Sequence, residues 1–333
     1  MKIIRTVLGD IPASEIGKTD SHDHLIRSGG PEVVRNPMFL MDDTAAAKRE
    51  FGAFLASGGK TMVCMDPIGC GRNVGKMAEI AEAYRGQGNL VMVTGFHKAE
   101  NYDPRVSFLA TVDEKKIAAL MCLEITDGMD LHSYNGPVVE RTAYKAGLIK
   151  AGTSYRLITH LEQKALRIAA MTQRETGCAI SIHTENGTMG PQILDILAAA
   201  GADLEKTVLC HVQRDPNLVY YKKLLDRGAV LCIEEANKPH LRSDQALAEI
   251  LKQLVDAGYK QQLLLGMDGG RQEALAAYMA PEGIANGLSY LFADFAPMLL
   301  QQGISASALE MMLVHNPARV FSMEVSQEGR KYL

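Results

Sequence analysis

The sequence predicts an α/β fold in a single domain spanning residues 1–333, a (β/α)8 TIM barrel. Two observations predict it. Short runs rich in Val, Ile, Leu, Met and Cys alternate with longer amphipathic stretches, the pattern of parallel strands buried on both faces and separated by helices. Eight such runs can be counted, the number that closes a barrel. A doubly wound open sheet would carry a Gly-rich phosphate loop after its first strand, and none follows the first run here.

The strand runs are GKTDSHDHLI from Gly17, TMVCMDP from Thr61, LVMVTGF from Leu90 and AGLIKAG from Ala146, then AISIHTE from Ala179, VLCHV from Val208, AVLCIEE from Ala229 and LLLGMD from Leu263. Each is brief and ends in polar residues. Between them, TAAAKREFGAFLASG, VGKMAEIAEAYRGQG, LEQKALRIAAMTQRETG and DQALAEILKQLVDAG place apolar residues at helical spacing. Each ends in Gly, the residue that caps a helix in the left-handed conformation. Thr159 supplies an N-cap, with Glu162 in the first turn of the helix that follows. Residues 103–141 are the least regular and read as a long excursion between the third and fourth strands, with helical DEKKIAALMCLEI inside it. No linker, internal repeat or low-complexity tract divides the chain.

Bulk properties exclude several function classes. The 333 residues carry a net charge of −4 and a sequence pI near 6.2, so bulk charge points to neither a nucleic-acid nor a membrane partner. No apolar run reaches the roughly 18 residues of a membrane span, and the opening MKIIRTVLGD lacks the core of a signal peptide. The expectation is a soluble, cytoplasmic protein. Its six Cys are scattered, without a C-x-x-C pair, and read as buried free thiols. Cys70, in the Gly-rich stretch IGCGRN, is the one that would sit near a pocket mouth.

The chemistry gathers at the strand ends. His22 and His24 form H-x-H on the first strand, where period-two alternation points both imidazoles the same way. The fifth strand ends in His183, the sixth in His211, the eighth in Asp268, and the fourth carries Lys150. The C-terminal ends of the strands are where barrel active sites are built. A His inside an apolar strand needs a partner or a metal. An ammonium inside a barrel must pair with a carboxylate such as Glu235, lose its proton, or be modified; a neutral amine can add CO₂ to give a carbamate.

In residue types and strand order, H-x-H, the fourth-strand Lys, the fifth- and sixth-strand His and the eighth-strand Asp resemble the phosphotriesterase family of the amidohydrolase superfamily. The likeness extends to RTVLGDIPASEIGKTDSHDHL, GLIKAGTS, ISIHTE and HNPARVF. It implies a hydrolase with two divalent metal ions, Zn foremost, with Mn or Co as alternatives. His22, His24 and Asp268 would hold the more buried ion and His183 and His211 the second. A carboxylated Lys150 and a hydroxide would bridge them, and a homodimer is the expected assembly. The core then totals roughly +1, which favours a developing oxyanion. Asp268 is expected to take the proton of the hydroxide and pass it to the leaving oxygen.

Loops choose the substrate. Arg214, Lys238 and Arg271 lie just beyond the last three strands, where barrels often bind phosphate. With TGFHK at Thr94–Lys98, this resembles members that open phosphorylated sugar lactones, so an anionic small molecule is the expected substrate. Lys98, Tyr102 and Tyr278 are expected to line the mouth. An acyl-homoserine lactonase or carboxylesterase is the alternative, with Ala274, Leu275, Tyr278 and Met279 forming an apolar channel. A phosphotriesterase would use an aromatic pocket that includes Trp, and this chain has no Trp and 6% aromatics. A catalytically silent barrel acting as a binding protein would show an incomplete ligand set, and all six ligand positions are filled here.

Overall fold

The structure, a computed structural model, describes residues 1–278 and 287–324. Eight parallel strands run in sequence order around the sheet: β3 (Thr19–Asp23), β4 (Thr61–Cys64), β5 (Asn89–Gly95), β6 (Leu148–Thr153), β7 (Ile180–Thr184), β8 (Thr207–Cys210), β9 (Val230–Ile233) and β10 (Leu263–Leu265). The seam between β10 and β3 is joined where the Asp268 N–H donates to the His22 carbonyl at 2.9 Å. A second, antiparallel sheet that sequence reading left unassigned joins β1 (Lys2–Thr6) to β2 (Gly9–Pro12) and to β11 (Met323–Glu324).

Two apolar clusters sort the strand residues by parity. Val63, Val91, Val93, Leu148, Val208, Val230, Cys232 and Leu264 fill the barrel interior, joined by Ile4, Ile16 and Phe321. Their alternate neighbours, among them Met62, Leu90, Ile149, Ile180, Leu209, Leu231 and Leu265, pack outward against the helices. This is the pleat of a strand buried on both sides. The Val7 N–H bonds the Leu90 carbonyl at 2.8 Å, so the N-terminal hairpin covers the end of the barrel where β5 begins.

The helix His160–Thr176 starts on a capping box. The Thr159 hydroxyl accepts the Glu162 N–H at 3.2 Å while Glu162 accepts the Thr159 N–H at 2.8 Å. It ends at Gly177 with φ 73°, whose N–H reaches the Gln173 carbonyl at 2.7 Å. The excursion between β5 and β6 contains the helix Glu114–Thr126. It is tied to the barrel by a fully buried pair: Arg72 Nη1 and Nη2 meet the Glu124 carboxylate at 2.7 and 2.6 Å. All six cysteines are buried free thiols. Cys70 lies within the core rather than at a mouth, its Sγ 3.4 Å from the Tyr102 hydroxyl, and burial pushes its thiol up to about 12. Among the described residues no helix is long and apolar enough to cross a membrane.

Candidate active site

Parity carries interior residues up the strands into the site. On β6, Leu148 is an interior residue, and Lys150, two positions on, is 2% exposed. His22 lies within β3 and His183 within β7. The other ligand candidates sit just past their strands: His24 one residue beyond β3, His211 one beyond β8, and Asp268 three beyond β10. His211 and Asp268 take left-handed backbones with φ 65° and 51°, and Glu235 and Asn237 on the neighbouring loop have φ 72° and 64°. Such conformations persist in non-Gly residues only where the surroundings over-determine them, and they concentrate at functional sites.

The six predicted ligands come together. Asp268 Oδ1 stands 3.6 Å from His22 Nε2 and 3.4 Å from His24 Nε2, and its Oδ2 is 3.9 Å from His211 Nδ1. The His183 and His211 rings lie 4.5 Å apart, centroid to centroid. Lys150 Nζ meets His22 Nε2 at 3.5 Å, and no carboxylate forms an ion pair with it among the described residues. The acid suggested by sequence, Glu235, is engaged elsewhere, with Gln213 and Arg214.

These separations fit a metal. They are long for hydrogen bonds, yet two ligands each about 2.1 Å from one tetrahedral ion stand about 3.4 Å apart. His22, His211 and Asp268 offer ligand atoms all within 4.8 Å of one another. The buried His22 Nδ1, His211 Nδ1 and Glu234 Oε1 have no hydrogen-bond partner. His22 Nδ1 and Glu234 Oε1 face each other, whereas His211 Nδ1 also faces Asp268, and a cation held there would relieve the cost of leaving that buried atom unbonded.

Two acids that sequence reading missed sit behind the imidazoles. Glu234, completely buried, places Oε1 2.8 Å from His22 Nδ1 and Oε2 2.7 Å from His211 Nδ1, at angles that are not those of hydrogen bonds. Asp66 Oδ2 pairs with His24 Nδ1 at 2.9 Å, and its Oδ1 accepts Arg27 Nε at 2.8 Å. Parity was the signal for Glu234: Val230 and Cys232 face inward, so the next inward residue is Glu234 and not Glu235. Asp66 had no such signal, since its partners lie 42 and 39 residues away.

Electrostatics separates the titratable groups. Burial works against a charged His22, but Glu234 overcomes it and carries the imidazole to about 10. Burial pushes His211 down to about 3 despite the same carboxylate. Burial also drives His97 well below its ordinary value, helped by His183, Lys150 and Lys98. Burial would raise the Asp268 carboxyl, yet Lys238, His211 and His24 hold it well below the usual range.

The ligands open into a cavity of about 910 Å³. Of the predicted substrate residues, Lys98, Arg214, Lys238 and Arg271 line it. Lys98 is paired with Glu185 at 2.5 Å. Arg214 is committed to the Glu235 carboxylate through Nε at 3.0 Å and through Nη2. Lys238 donates to the Asp268 backbone carbonyl and stands 3.5 Å from its Oδ2. Arg271 is half exposed, 3.4 Å from Glu273.

Two predicted residues are placed otherwise. Tyr102 is buried away from the cavity: its hydroxyl accepts the His97 N–H at 2.7 Å and donates to the Ile68 carbonyl at 2.8 Å. The Tyr278 hydroxyl accepts the Asp43 N–H at 3.0 Å and is not on the cavity wall. Of the apolar channel, Ala274 is on the wall and Leu275 is buried in the core. Met279 lies outside the described residues. The wall also includes Arg27, Phe39, His97, Asn237 and His240, none of them anticipated from sequence.

Residues 2–321 match the phosphotriesterase family. The chain is 45% identical to a phospho-furanose lactonase of Mycoplasmopsis agalactiae over 325 residues, covering 97% of this chain and 92% of that one. Among solved structures it resembles an amidohydrolase from Mycoplasma synoviae, with a TM-score of 0.94, 44% identity, and coverage of 97% of this chain and 92% of that chain. It also resembles a lactonase from Listeria monocytogenes, with a TM-score of 0.87, 26% identity, and coverage of 97% and 100%.

Proposed function

The chain belongs to the phosphotriesterase family, and we propose that within it the protein is a metal-dependent hydrolase that opens a phosphorylated furanose lactone. His22, His24 and Asp268 would hold one ion, His183 and His211 a second, and a carboxylated Lys150 would join them. Zn suits the set foremost, and Mn or Co would also serve. When bound, the ions lower the pKa of the attacking water and polarise the lactone carbonyl.

Asp268 does the proton work. Held in its ionised form by Lys238, it accepts the proton of the water that attacks the C1 carbonyl. The bond between C1 and the ring oxygen then breaks, and Asp268 returns the proton to that oxygen, giving a hydroxy acid. Glu234 and Asp66 hold the imidazoles from behind, as outer carboxylates do in metal sites.

The observation that carries the substrate reading is the placement of Lys238 and Arg271 in the lining of the same cavity as the ligand candidates. Lys238 reaches Asp268, while Arg271 stands at the rim without a bidentate acid. A phosphate distal to the lactone carbonyl suits this arrangement. Arg214, held by Glu235, keeps that acid neutralised beside the site rather than meeting the phosphate. The alternatives are less well supported. A wall bearing Arg27, Lys98, Lys238 and Arg271 is a poor channel for an alkyl tail, and the chain has no Trp for a triesterase pocket.

The test compares pentono-lactone 5-phosphates with the same lactones lacking phosphate, following proton release from metal-loaded enzyme. A preference of about a hundredfold for the phosphorylated set, worth about 2.7 kcal/mol, is expected. Neutralising Lys238 and Arg271 should erase it. Equal rates on both sets would remove the two cations from substrate recognition.

A further inference from the structure

We propose that Phe39 is a positioning residue for Arg271 and that, through it, Phe39 sets the preference for phosphorylated over unphosphorylated lactones; this rests on the phosphate reading given above. Phe39 ends the short turn Pro37–Phe39 in the loop after β3, a turn capped by Asn36, whose side chain accepts the Met38 N–H at 3.0 Å. Its ring is part of the cavity wall. Two guanidinium groups lie over it: the Arg271 Cζ is 4.8 Å from the ring centroid and the Arg27 Cζ 5.2 Å.

The two arginines differ in how they are held. Arg27 is 3% exposed. Its Nε donates to Asp66 Oδ1 at 2.8 Å and its Nη1 to the Gly270 carbonyl at 3.0 Å. Asp66 in turn holds the ligand candidate His24. Arg27 therefore fastens the backbone next to Arg271 to the metal side of the site and gives Phe39 a fixed neighbour. Arg271 has no such network: its side chain is 47% exposed, with Glu273 at 3.4 Å. A long side chain in that state samples many rotamers, and the ring restricts it to the cavity side. A guanidinium held over a ring by its charge keeps N–H groups for a phosphate, which it can grip in bidentate fashion.

The experiment is a double-variant cycle on the metal-loaded enzyme, with paired phosphorylated and unphosphorylated lactones. In Phe39→Ala, KM for the phosphorylated lactone should rise about two- to thirtyfold, the span of cation–π contacts from exposed to desolvated sites. Its kcat and metal content should hold, and the KM for the unphosphorylated lactone should move less than that for the phosphorylated one. Phe39→Tyr, which keeps the aromatic face, should retain wild-type values. Added to Arg271→Ala, Phe39→Ala should cause no further rise. If Arg271→Ala abolishes the phosphate preference while Phe39→Ala leaves it intact, the platform is overturned and the phosphate reading stands. Equal losses on both lactones, or additive losses in the double variant, also overturn it. If Arg271→Ala itself leaves the preference unchanged, the phosphate reading and this inference fall together.

Discussion

Asp268 and His22 are joined twice. The Asp268 amide closes the barrel on the His22 carbonyl at 2.9 Å, and the Asp268 carboxylate stands 3.6 Å from the imidazole of the same residue. One residue therefore seals the seam between the first and last strands and presents its side chain to the ligand cluster. Its strained backbone, with φ 51°, is held by that amide bond. Geometry of the site and closure of the fold depend on the same contact.

Asp268→Asn keeps the amide and removes the base. The expected outcome is a loss of about 10²- to 10⁴-fold in kcat, the range of general acid–base effects, in protein that still folds. Steady-state kinetics normalised to measured metal content checks it. Full kcat with metal bound would remove Asp268 from the proton path.

Lys150, buried and without a carboxylate partner among the described residues, is expected to carry CO₂ when metal binds. Reconstitution of metal-free protein in CO₂-depleted buffer should be slow, and bicarbonate should accelerate it. A carbamate carbon should appear by ¹³C NMR with labelled bicarbonate and be missing in Lys150→Met. Equal reconstitution with and without bicarbonate would argue for an unmodified amine.

Glu234 touches one ligand candidate of each ion, His22 and His211. Glu234→Ala should weaken metal retention by about 10- to 100-fold, the usual effect of losing an outer-shell partner. Chelator competition read by metal analysis measures this without reference to turnover. The adjacent Glu235→Ala should act instead through Arg214, leaving metal retention close to wild type.

His97 gives a pH signature. Burial holds its folded pKa well below 6.5, so between the two values the unfolded chain binds the extra proton. Stability from this group is intact above pH 6.5 and is lost as pH falls below it, by at most about 1.4 kcal/mol per pH unit. The stability gap between wild type and His97→Gln in urea should therefore narrow from pH 7.5 to 5.5. A constant gap would mean that His97 titrates normally in the fold.

The buried Arg72–Glu124 pair, 0% exposed on both sides, makes a prediction about the scaffold. Glu124→Gln leaves the guanidinium without its counter-charge, and breaking such a pair costs about 3–5 kcal/mol. Urea unfolding should show the loss. The variant should keep KM, because Arg72 and Glu124 are not on the cavity wall.

The barrel and the clustering of the ligand candidates at its strand ends were legible in sequence because both follow from local rules. Strands buried on two faces read as unbroken apolar runs, and pleat parity points Lys150, His22 and His183 inward once the strands are recognised. The helix cap at Thr159 was legible for the same reason, since its partner is three residues away. What tertiary structure decided is what depends on distant chain segments meeting. It placed Tyr102 and Tyr278 against backbone groups rather than the cavity. It gave Arg214 to Glu235, and set Asp66 between His24 and Arg27. It also brought Phe39 under Arg271, 232 residues later in the chain. Side-chain direction within a strand is set by neighbouring peptide units, whereas a loop side chain's partner is set by where another loop ends, and no periodicity in the sequence records that distance.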